Sequence, residues 1–210
     1  MQKLELPDEI SKIIKALQSA GYSAYAVGGC VRDVLLENPP AGGPKDWDIT
    51  TNAKPEEIQK IFPDSFYANK FGTVSVKTKS EDETLAFVEI TTFRKEGGYS
   101  DKRHPDEVEF VGNIEEDLAR RDFTVNALAS DGEKIIDLFG GQNDLKKKLI
   151  RAVGEPAERF SEDALRMMRA VRFACELGFE IEEKTREAIK KEAGLLRAIA
   201  KERIRDEFIK

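Results

Sequence analysis

The sequence is poor in histidine and cysteine: its 210 residues include one histidine, His104, and two cysteines, Cys30 and Cys175. Zinc sites need several such ligands at short spacing and a serine-type triad needs a histidine base, so both are poorly supported. Two distant cysteines form no disulfide framework, which favours a reducing compartment. There is no apolar run of membrane-spanning length and no signal region at the N-terminus. We expect a cytoplasmic protein that does not contact a membrane.

Charge, in contrast, is abundant: 35% of the residues are Asp, Glu, Lys or Arg, and the formal net charge is −6 at pH 7. The balance is uneven, because residues 146–210 carry 17 basic against 13 acidic side chains and the remainder is strongly acidic. An acidic first part suits a metal site and a basic second part suits a polyanionic partner. Solvation of long helices is the alternative explanation of the same charges.

Three carboxylates in strand-like segments form the first candidate site. Asp46 and Asp48 alternate in residues 46–50, DWDIT, and Glu89 lies in residues 86–91, AFVEIT. Alternate side chains of a strand share a face, so we predict that Asp46 and Asp48 point the same way. Their repulsion is relieved by a cation, and Mg²⁺ prefers oxygen ligands. We therefore predict that both aspartates hold Mg²⁺ ions for nucleotidyl transfer and that Glu89 is a third catalytic carboxylate, although it could be an ordinary surface acid.

A glycine pair upstream predicts a phosphate site. Residues 28–33 read GGCVRD, and Gly28 and Gly29 would let backbone amides at the start of a helix approach a phosphate closely. Arg32, in the first helical turn, can add a forked, charge-assisted contact to a triphosphate. Asp33 could pair with a neighbouring base or touch the ligand, and the sequence does not choose between these roles.

Two arginine-rich segments complete the set of candidates. In residues 120–127, RRDFTVNA, we select Arg121 for a phosphate or ribose contact. In residues 162–173, EDALRMMRAVRF, four charged residues recur every three positions and are predicted to form a row on one helix face. They are Asp163, Arg166, Arg169 and Arg172. An ion pair at this spacing contributes only a few tenths of a kcal/mol, and it leaves the other arginines without an anion.

Hydrophobic periodicity predicts an α+β protein. Apolar residues spaced as on one helix face indicate a first helix, and the runs 71–78 and 85–93 are typical of antiparallel strands. Residues 94–105 are polar and predict a loop, and residues 134–138 predict a last strand. From about Gly140 the pattern is helical. We predict one domain over residues 1–139 and an all-helical domain over residues 140–210, which we expect to continue beyond Lys210.

These motifs, in this order over about residues 20–180, resemble those of the class II tRNA nucleotidyltransferases, or CCA-adding enzymes, and of the related bacterial poly(A) polymerases. The resemblance implies a DNA-polymerase-β-like nucleotidyltransferase head, with a mixed sheet and flanking helices, and an all-helical neck. It also implies Mg²⁺-dependent addition of C, C and A to a tRNA 3′ end from CTP and ATP. The implied roles are triphosphate contact by Gly29 and Arg32, metal binding by Asp46 and Asp48, nucleotide contact by Arg121, base selection by Asp163 and Arg166, and support by Arg169 and Arg172.

Alternatives remain open within and beyond that family. The enzyme could add only the final A, it could be a poly(A) polymerase, or it could be a catalytically silent nucleotide- or RNA-binding module. Residues 92–111 resemble the family's flexible loop, which argues against a relative that adds only C and C. We expect weak tRNA binding by these 210 residues, because the family's later tRNA-gripping regions are absent after Lys210, and we see no sign of an obligate protein partner.

Overall fold

The computed structural model describes residues 3–37, 39, 42–69, 72–99 and 106–209. Most of the helices and strands before residue 140, the first part of the chain, form one sheet and the helices packed against it. They are α1 (Asp8–Ser19), β1 (Ala24–Val27), α2 (Gly29–Leu35), β2 (Asp48–Thr51), α3 (Pro55–Ile61), β3 (Ser65–Asn69), β4 (Thr73–Lys77), β5 (Phe87–Thr92), β6 (Arg94–Gly97), β7 (Glu107–Phe110), α4 (Ile114–Ala119), β8 (Leu128–Ser130) and β9 (Ile135–Asp137). A short 3₁₀ helix, Thr124–Asn126, precedes β8.

The second part is mainly helical. It contains α5 (Gly141–Lys147), β10 (Leu149–Ile150), α6 (Pro156–Glu162), α7 (Leu165–Leu177), β11 (Glu180–Ile181), α8 (Glu183–Glu192), a 3₁₀ helix (Ala193–Ala198) and α9 (Lys201–Phe208). Within the described ranges, no helix combines the length and the apolar character needed to cross a bilayer.

The central sheet has seven strands in the order β3-β4-β5-β2-β1-β8-β9. Strands β2 and β5 are parallel, and the other neighbours are antiparallel. The predicted antiparallel pairing of the runs 71–78 and 85–93 is therefore confirmed, as β4 and β5. A mixed sheet with flanking helices also confirms the predicted α+β class.

Burial follows the sequence pattern on which the predictions depend. The apolar face of α1, which carries Ile10, Ile14 and Leu17, is almost completely buried. In β5 the alternation is strict at its start, because Val88 is buried while Phe87 and Glu89 are exposed. The helices α1 and α3 pack on the face that holds Val88, so the opposite face of the sheet remains for the site.

Three local predictions were wrong. The segment predicted as a strand over residues 46–50 becomes a strand only at Asp48, and Asp46 lies in a bend before it. Part of the predicted loop forms β6, which pairs with β7 as an antiparallel hairpin despite its polar sequence RKEG. Residues 100–105 lie outside the described residues. The strand predicted over residues 134–138 exists as β9 but is not the last one, because β10 and β11 pair in parallel further on.

Packing connects the two parts of the chain. Two apolar residues of α7, Ala170 and Phe173, belong to the same buried cluster as the sheet residues, whereas Phe160 and Leu165 belong to a separate cluster with α8. The β-bridge between Phe123 and Ala152 joins the parts further. The domain boundary near residue 140 remains a prediction.

Candidate active site

Three carboxylate side chains lie near the start of β2. Asp48 is the first residue of β2 and lies directly opposite Glu89 in the parallel strand β5, while Asp46 lies two residues earlier. All three residues are exposed, and the buried Trp47 between the aspartates anchors the segment in the core. Partial desolvation raises the pKa of Asp48 to about 6, with Arg121 opposing this rise and Glu89 and Asp46 adding to it. The carboxylates therefore repel one another, as expected of residues that share a cation.

The donor chemistry at this point fits Mg²⁺. Carboxylate oxygens are its preferred protein ligands, and one or two carboxylates suffice because the ion keeps waters and phosphate oxygens in its other positions. In the part of the chain that the structure describes, no three carboxylate, histidine or cysteine groups are close enough together to form a metal site. The predicted roles of Asp46 and Asp48 as metal ligands, and of Glu89 as a third catalytic carboxylate, remain predictions.

A cleft of about 1080 Å³ opens beside the carboxylates, between the sheet, α7 and α9. Every predicted site residue except Glu89 lines it. These residues are Gly28, Gly29, Arg32, Asp46, Asp48, Arg121, Asp163, Arg166, Arg169 and Arg172. The fold therefore brings together, around one cavity, motifs that are more than a hundred residues apart in sequence.

Gly28 has a backbone conformation that strains other residues and a neighbour that a side chain would displace. Its φ is 84° and its ψ is −134°, a combination in which side chains are strained, and it immediately precedes α2. A Cβ atom at this position would lie 2.9 Å from Nη1 of Arg121. The absence of a side chain at residue 28 therefore lets Arg121 approach the turn.

Arg121 has hydrogen-bonding capacity to spare. Its Nη2 donates to Oδ2 of Asp117 at 3.4 Å, a long contact, and its buried Nε has no hydrogen-bond partner among the residues that the structure describes. A buried donor without a partner costs about 1–3 kcal/mol. Arg121 also lines the cleft, which is consistent with the predicted contact to phosphate.

Asp117 was not selected from the sequence. It contacts Arg121 and also Thr50, which lies on the same strand as Asp48. Its side chain is fully buried in α4, and its oxygens accept from Arg120 at 2.8 and 3.0 Å and from Thr50 at 3.2 Å. Thr50 lies two residues after Asp48 on β2. Burial alone would raise the pKa of Asp117, but Arg120 and Arg121 lower it below the usual range. The signal available in the sequence was the spacing: an acidic residue on a predicted helix precedes a pair of arginines by three and four positions.

Arg32 is held rigidly at the cleft wall. Its Nε and Nη2 donate to the two carboxylate oxygens of Asp33 at 2.7 and 3.0 Å, and its Nη1 donates to Asn126 at 2.8 Å. Asp33 therefore pairs with a neighbouring base, which was one of its two predicted roles. Two of the five N–H donors of this guanidinium remain for a ligand, so the predicted triphosphate contact is still possible.

Phe173 of α7 was also missed, and it organises three of the predicted arginines. The guanidinium carbons of Arg32, Arg169 and Arg172 lie 5.2, 5.0 and 4.2 Å from the centre of its ring. Cation–π attraction acts at these distances. One aromatic ring thus packs against three guanidinium groups, each of which is also paired with a carboxylate.

The predicted helix over residues 162–173 is interrupted. Helix α6 ends at Glu162, Asp163 is extended, and α7 begins at Leu165. The arginines form a row on α7 as predicted, but Asp163 lies outside that helix, where its carboxylate accepts from the backbone amide of Leu165 at 3.0 Å. The extended Asp163 allows the chain to change direction between two packed helices, a break that the apolar spacing does not reveal.

Arg166 and Arg172 connect separate elements. Arg166, which is 8% exposed, donates to Glu162 at 2.6 Å and to the backbone carbonyl of Arg120 at 3.1 Å. Arg172 donates to Glu176 at 2.7 Å and to the buried Glu207 of α9 at 2.6 Å. Their predicted roles at the base and the nucleotide remain predictions.

Arg169 forms an ion pair between α7 and the first part of the chain. Its Nε and Nη2 lie 2.8 and 2.6 Å from Oδ2 of Asp122, a largely buried carboxylate that also accepts from Asn126. Burial alone would raise the pKa of Asp122, but Arg169 and the hydrogen bonds lower it below the usual range. The pair therefore stabilises the folded chain at neutral pH, where Asp122 is charged.

Replacing Arg169 with methionine should destabilise the chain at pH 7 by about 2–3 kcal/mol, because it leaves a buried carboxylate without its cation. The difference in the free energy of unfolding between the variant and the wild type should become smaller as the pH falls, because the Asp122 carboxylate of the variant becomes protonated. In the wild type, the stabilisation by the Asp122–Arg169 pair is lost only below about pH 4. Urea unfolding followed by circular dichroism at several pH values measures both effects. Arg186→Met, which removes only an exposed pair with Glu183, is the control and should cost less than about 1 kcal/mol. Equal losses for both variants would contradict the prediction.

Comparison with known proteins agrees with this geometry. Residues 24–151 match the sequence profile of the poly A polymerase head domain, and residues 178–210 match that of the probable RNA and SrmB-binding site of polymerase A. The chain is 52% identical over 211 residues to a CCA-adding enzyme of Lactobacillus helveticus, covering 98% of this chain and 51% of that protein. It is 49% identical over 215 residues to one of Enterococcus faecalis, covering 100% and 51% respectively.

Solved structures show the same likeness. The Bacillus stearothermophilus CCA-adding enzyme in complex with CTP superposes with a TM-score of 0.83 at 44% identity, over 97% of this chain and 48% of that one. A tRNA nucleotidyltransferase complexed with a primer tRNA and an incoming ATP analog gives a TM-score of 0.75 at 32% identity, over 93% and 54%. The chain spans about half the length of the relatives it matches. The profile match covers most of its residues, and the chain belongs to the poly A polymerase head domain family.

Proposed function

We propose that this chain is the catalytic and nucleotide-selecting part of a CCA-adding enzyme, which transfers CMP and AMP from CTP and ATP to the 3′ end of a tRNA. The observation that carries the proposal is the convergence, on one cleft, of Asp46, Asp48, the Gly28 turn and Arg121. The names of the relatives from Lactobacillus and Enterococcus support the same activity. The cytoplasm is the expected location of such an enzyme.

The reaction forms one P–O bond and breaks one P–O bond and one O–H bond. The 3′ hydroxyl oxygen of the RNA attacks the α-phosphorus and its proton is released to solvent, while the bond from that phosphorus to the bridging oxygen breaks and pyrophosphate leaves. Mg²⁺, when bound, would supply Lewis-acid activation of the hydroxyl and charge neutralisation of the leaving group. Asp46 and Asp48 would hold the metal, and Arg32 and Arg121 would hold and orient the triphosphate so that the reacting atoms meet in line.

We assign selection of the base to Asp163 and Arg166, which also line the cleft. Asp163 offers an acceptor and Arg166 offers donors. These groups complement the amino group and the unprotonated ring nitrogen that cytosine and adenine share on their Watson–Crick edges, where the ring nitrogen of uracil and guanine is protonated. In the structure Arg166 is already bonded to Glu162 and to the Arg120 carbonyl. A base would therefore meet an arginine whose orientation is fixed in advance, which favours discrimination.

A poly(A) polymerase is the second candidate, because the matching profile describes the head domain of that enzyme. Product length separates the two. The protein in its longest natural form is incubated with Mg²⁺, CTP, ATP and a tRNA that lacks its 3′ CCA. Extension by three nucleotides supports a CCA-adding enzyme, extension by a single A supports an A-adding one, and long A tracts on arbitrary RNA support a poly(A) polymerase. Bound nucleotide without any extension would reject all three activities.

A further inference from the structure

Two exposed aromatic side chains lie side by side outside the cleft. Phe66 on β3 is 54% exposed and Phe87 on β5 is 50% exposed. Their ring centres are 6.2 Å apart and the planes are inclined by 67°, an edge-to-face contact. Neither residue has a part in the mechanism proposed above, and large aromatic rings grouped on a surface commonly mark a binding site.

The strand register places this pair on the same face of the sheet as the carboxylates. Asp48 lies opposite Glu89, Glu89 opposite Ser75, and Ser75 opposite Phe66, in one row across β2, β5, β4 and β3. Neighbouring strands are about 4.8 Å apart, so the row extends roughly 14 Å from Asp48 to Phe66. Phe87 is two residues from Glu89 on the same strand and therefore on the same face.

Among the described residues, this is the part of the face that is open. Further along the strands, Thr50 is fully buried and donates to Asp117 of α4, which covers the sheet there. From Asp48 and Glu89 towards Phe66 and Phe87 the larger side chains are exposed. In the described part of the chain, no residue of β3, β4 or β5 lines the cleft. A triphosphate in the cleft therefore leaves the side of the carboxylates towards Phe66 and Phe87 free for the RNA, which is the second substrate.

We propose that Phe66 and Phe87 form a stacking platform for the unpaired nucleotides at the 3′ end of the RNA that is extended. The proposal rests on the proposed function, because it needs an RNA terminus to reach the carboxylates. Stacking on an aromatic ring tolerates any base, which suits a terminus whose last base changes with each addition. Lys77, which is exposed and directly opposite Phe87 on β4, lies on the same face and can contact a phosphate.

The test separates RNA binding from nucleotide binding. In the longest natural form of the protein, Phe66→Ala should raise KM for the trimmed tRNA about tenfold, within the range expected for the loss of one stacked base, with kcat and KM for CTP unchanged. Phe66→Trp should restore the wild-type KM. Tyr67→Ala is the matched control, since Tyr67 is 47% exposed on the same edge strand but points to the opposite face. It should leave KM for RNA unchanged. Phe66→Thr, which suits a strand, replaces the alanine variant if that one does not fold.

A second readout does not depend on turnover. An RNA with 2-aminopurine as its last unpaired base should lose fluorescence on binding the wild type, because stacking quenches it, and less on binding Phe66→Ala. Unchanged RNA parameters in an active Phe66→Ala enzyme would overturn the platform alone and leave the proposed function intact. Equal losses in Tyr67→Ala, or a parallel rise in KM for CTP, would also overturn it. A wild type that neither binds nor extends RNA would overturn both proposals.

Discussion

Replacing Asp48 with asparagine is expected to lower nucleotidyl transfer at least about a hundredfold while leaving the fold intact, since even residues that only support metal ligands commonly contribute 10- to 100-fold. The same change should stabilise the metal-free chain. Asp46 and Glu89 repel the Asp48 carboxylate, and an amide of the same shape removes that repulsion. We expect a gain of about 1 kcal/mol, because the residue is exposed, and a rise in Tm of roughly 2–4 °C.

Thermal unfolding with EDTA and with Mg²⁺ checks the assignment independently of activity. Mg²⁺ should raise the Tm of the wild type and have a smaller effect on Asp48→Asn, because the variant has lost a ligand. Asp64→Asn, at an exposed acid outside the cleft, controls for the change in net charge. Full activity of Asp48→Asn, or an equal Mg²⁺ response in all three proteins, would remove the basis for placing the metal at these aspartates.

Replacing Gly28 with alanine should reduce triphosphate affinity at least about tenfold, which corresponds to 1.4 kcal/mol of lost binding energy. The new Cβ would lie 2.9 Å from Nη1 of Arg121 and force that guanidinium away from the turn. The unfavourable φ and ψ should cost a further 1–3 kcal/mol of folding stability. Nucleotide titration by calorimetry measures the first effect, and urea unfolding measures the second.

Gly21→Ala separates these two consequences. Gly21 also has a positive φ, 91°, but a Cβ there would have no heavy atom within 4 Å. It should therefore lose stability and keep its affinity for nucleotide. If Gly28→Ala bound CTP as tightly as Gly21→Ala, the contact between residue 28 and Arg121 would have no role in binding.

Ten of the eleven candidate residues line one cleft, although their roles there remain predictions. They were selected for chemical groups that bind phosphate, a metal ion or the edge of a base. The α1 helix and the β4–β5 pair were also foreseen, since their apolar periodicity reflects burial on one face. Patterns that record chemistry or burial are visible in a single sequence.

What the sequence did not predict depends on long-range pairing. The strand β6 has a polar sequence and forms only because β7 lies beside it. The strands β10 and β11 contain two residues each, too few for a periodic pattern. Asp117 and Phe173 are typical helix residues in sequence, and their importance arises from arginines that the fold brings to them.

The parallel pairing of β2 with β5 has a consequence for folding. Facing residues of these two strands are 41 positions apart in the chain, so Asp48 and Glu89 become neighbours only after a long loop closes, with its entropic cost. Contacts of such sequence separation are slow to form. We expect the acidic cluster to be assembled late, so that partly folded molecules are catalytically inert.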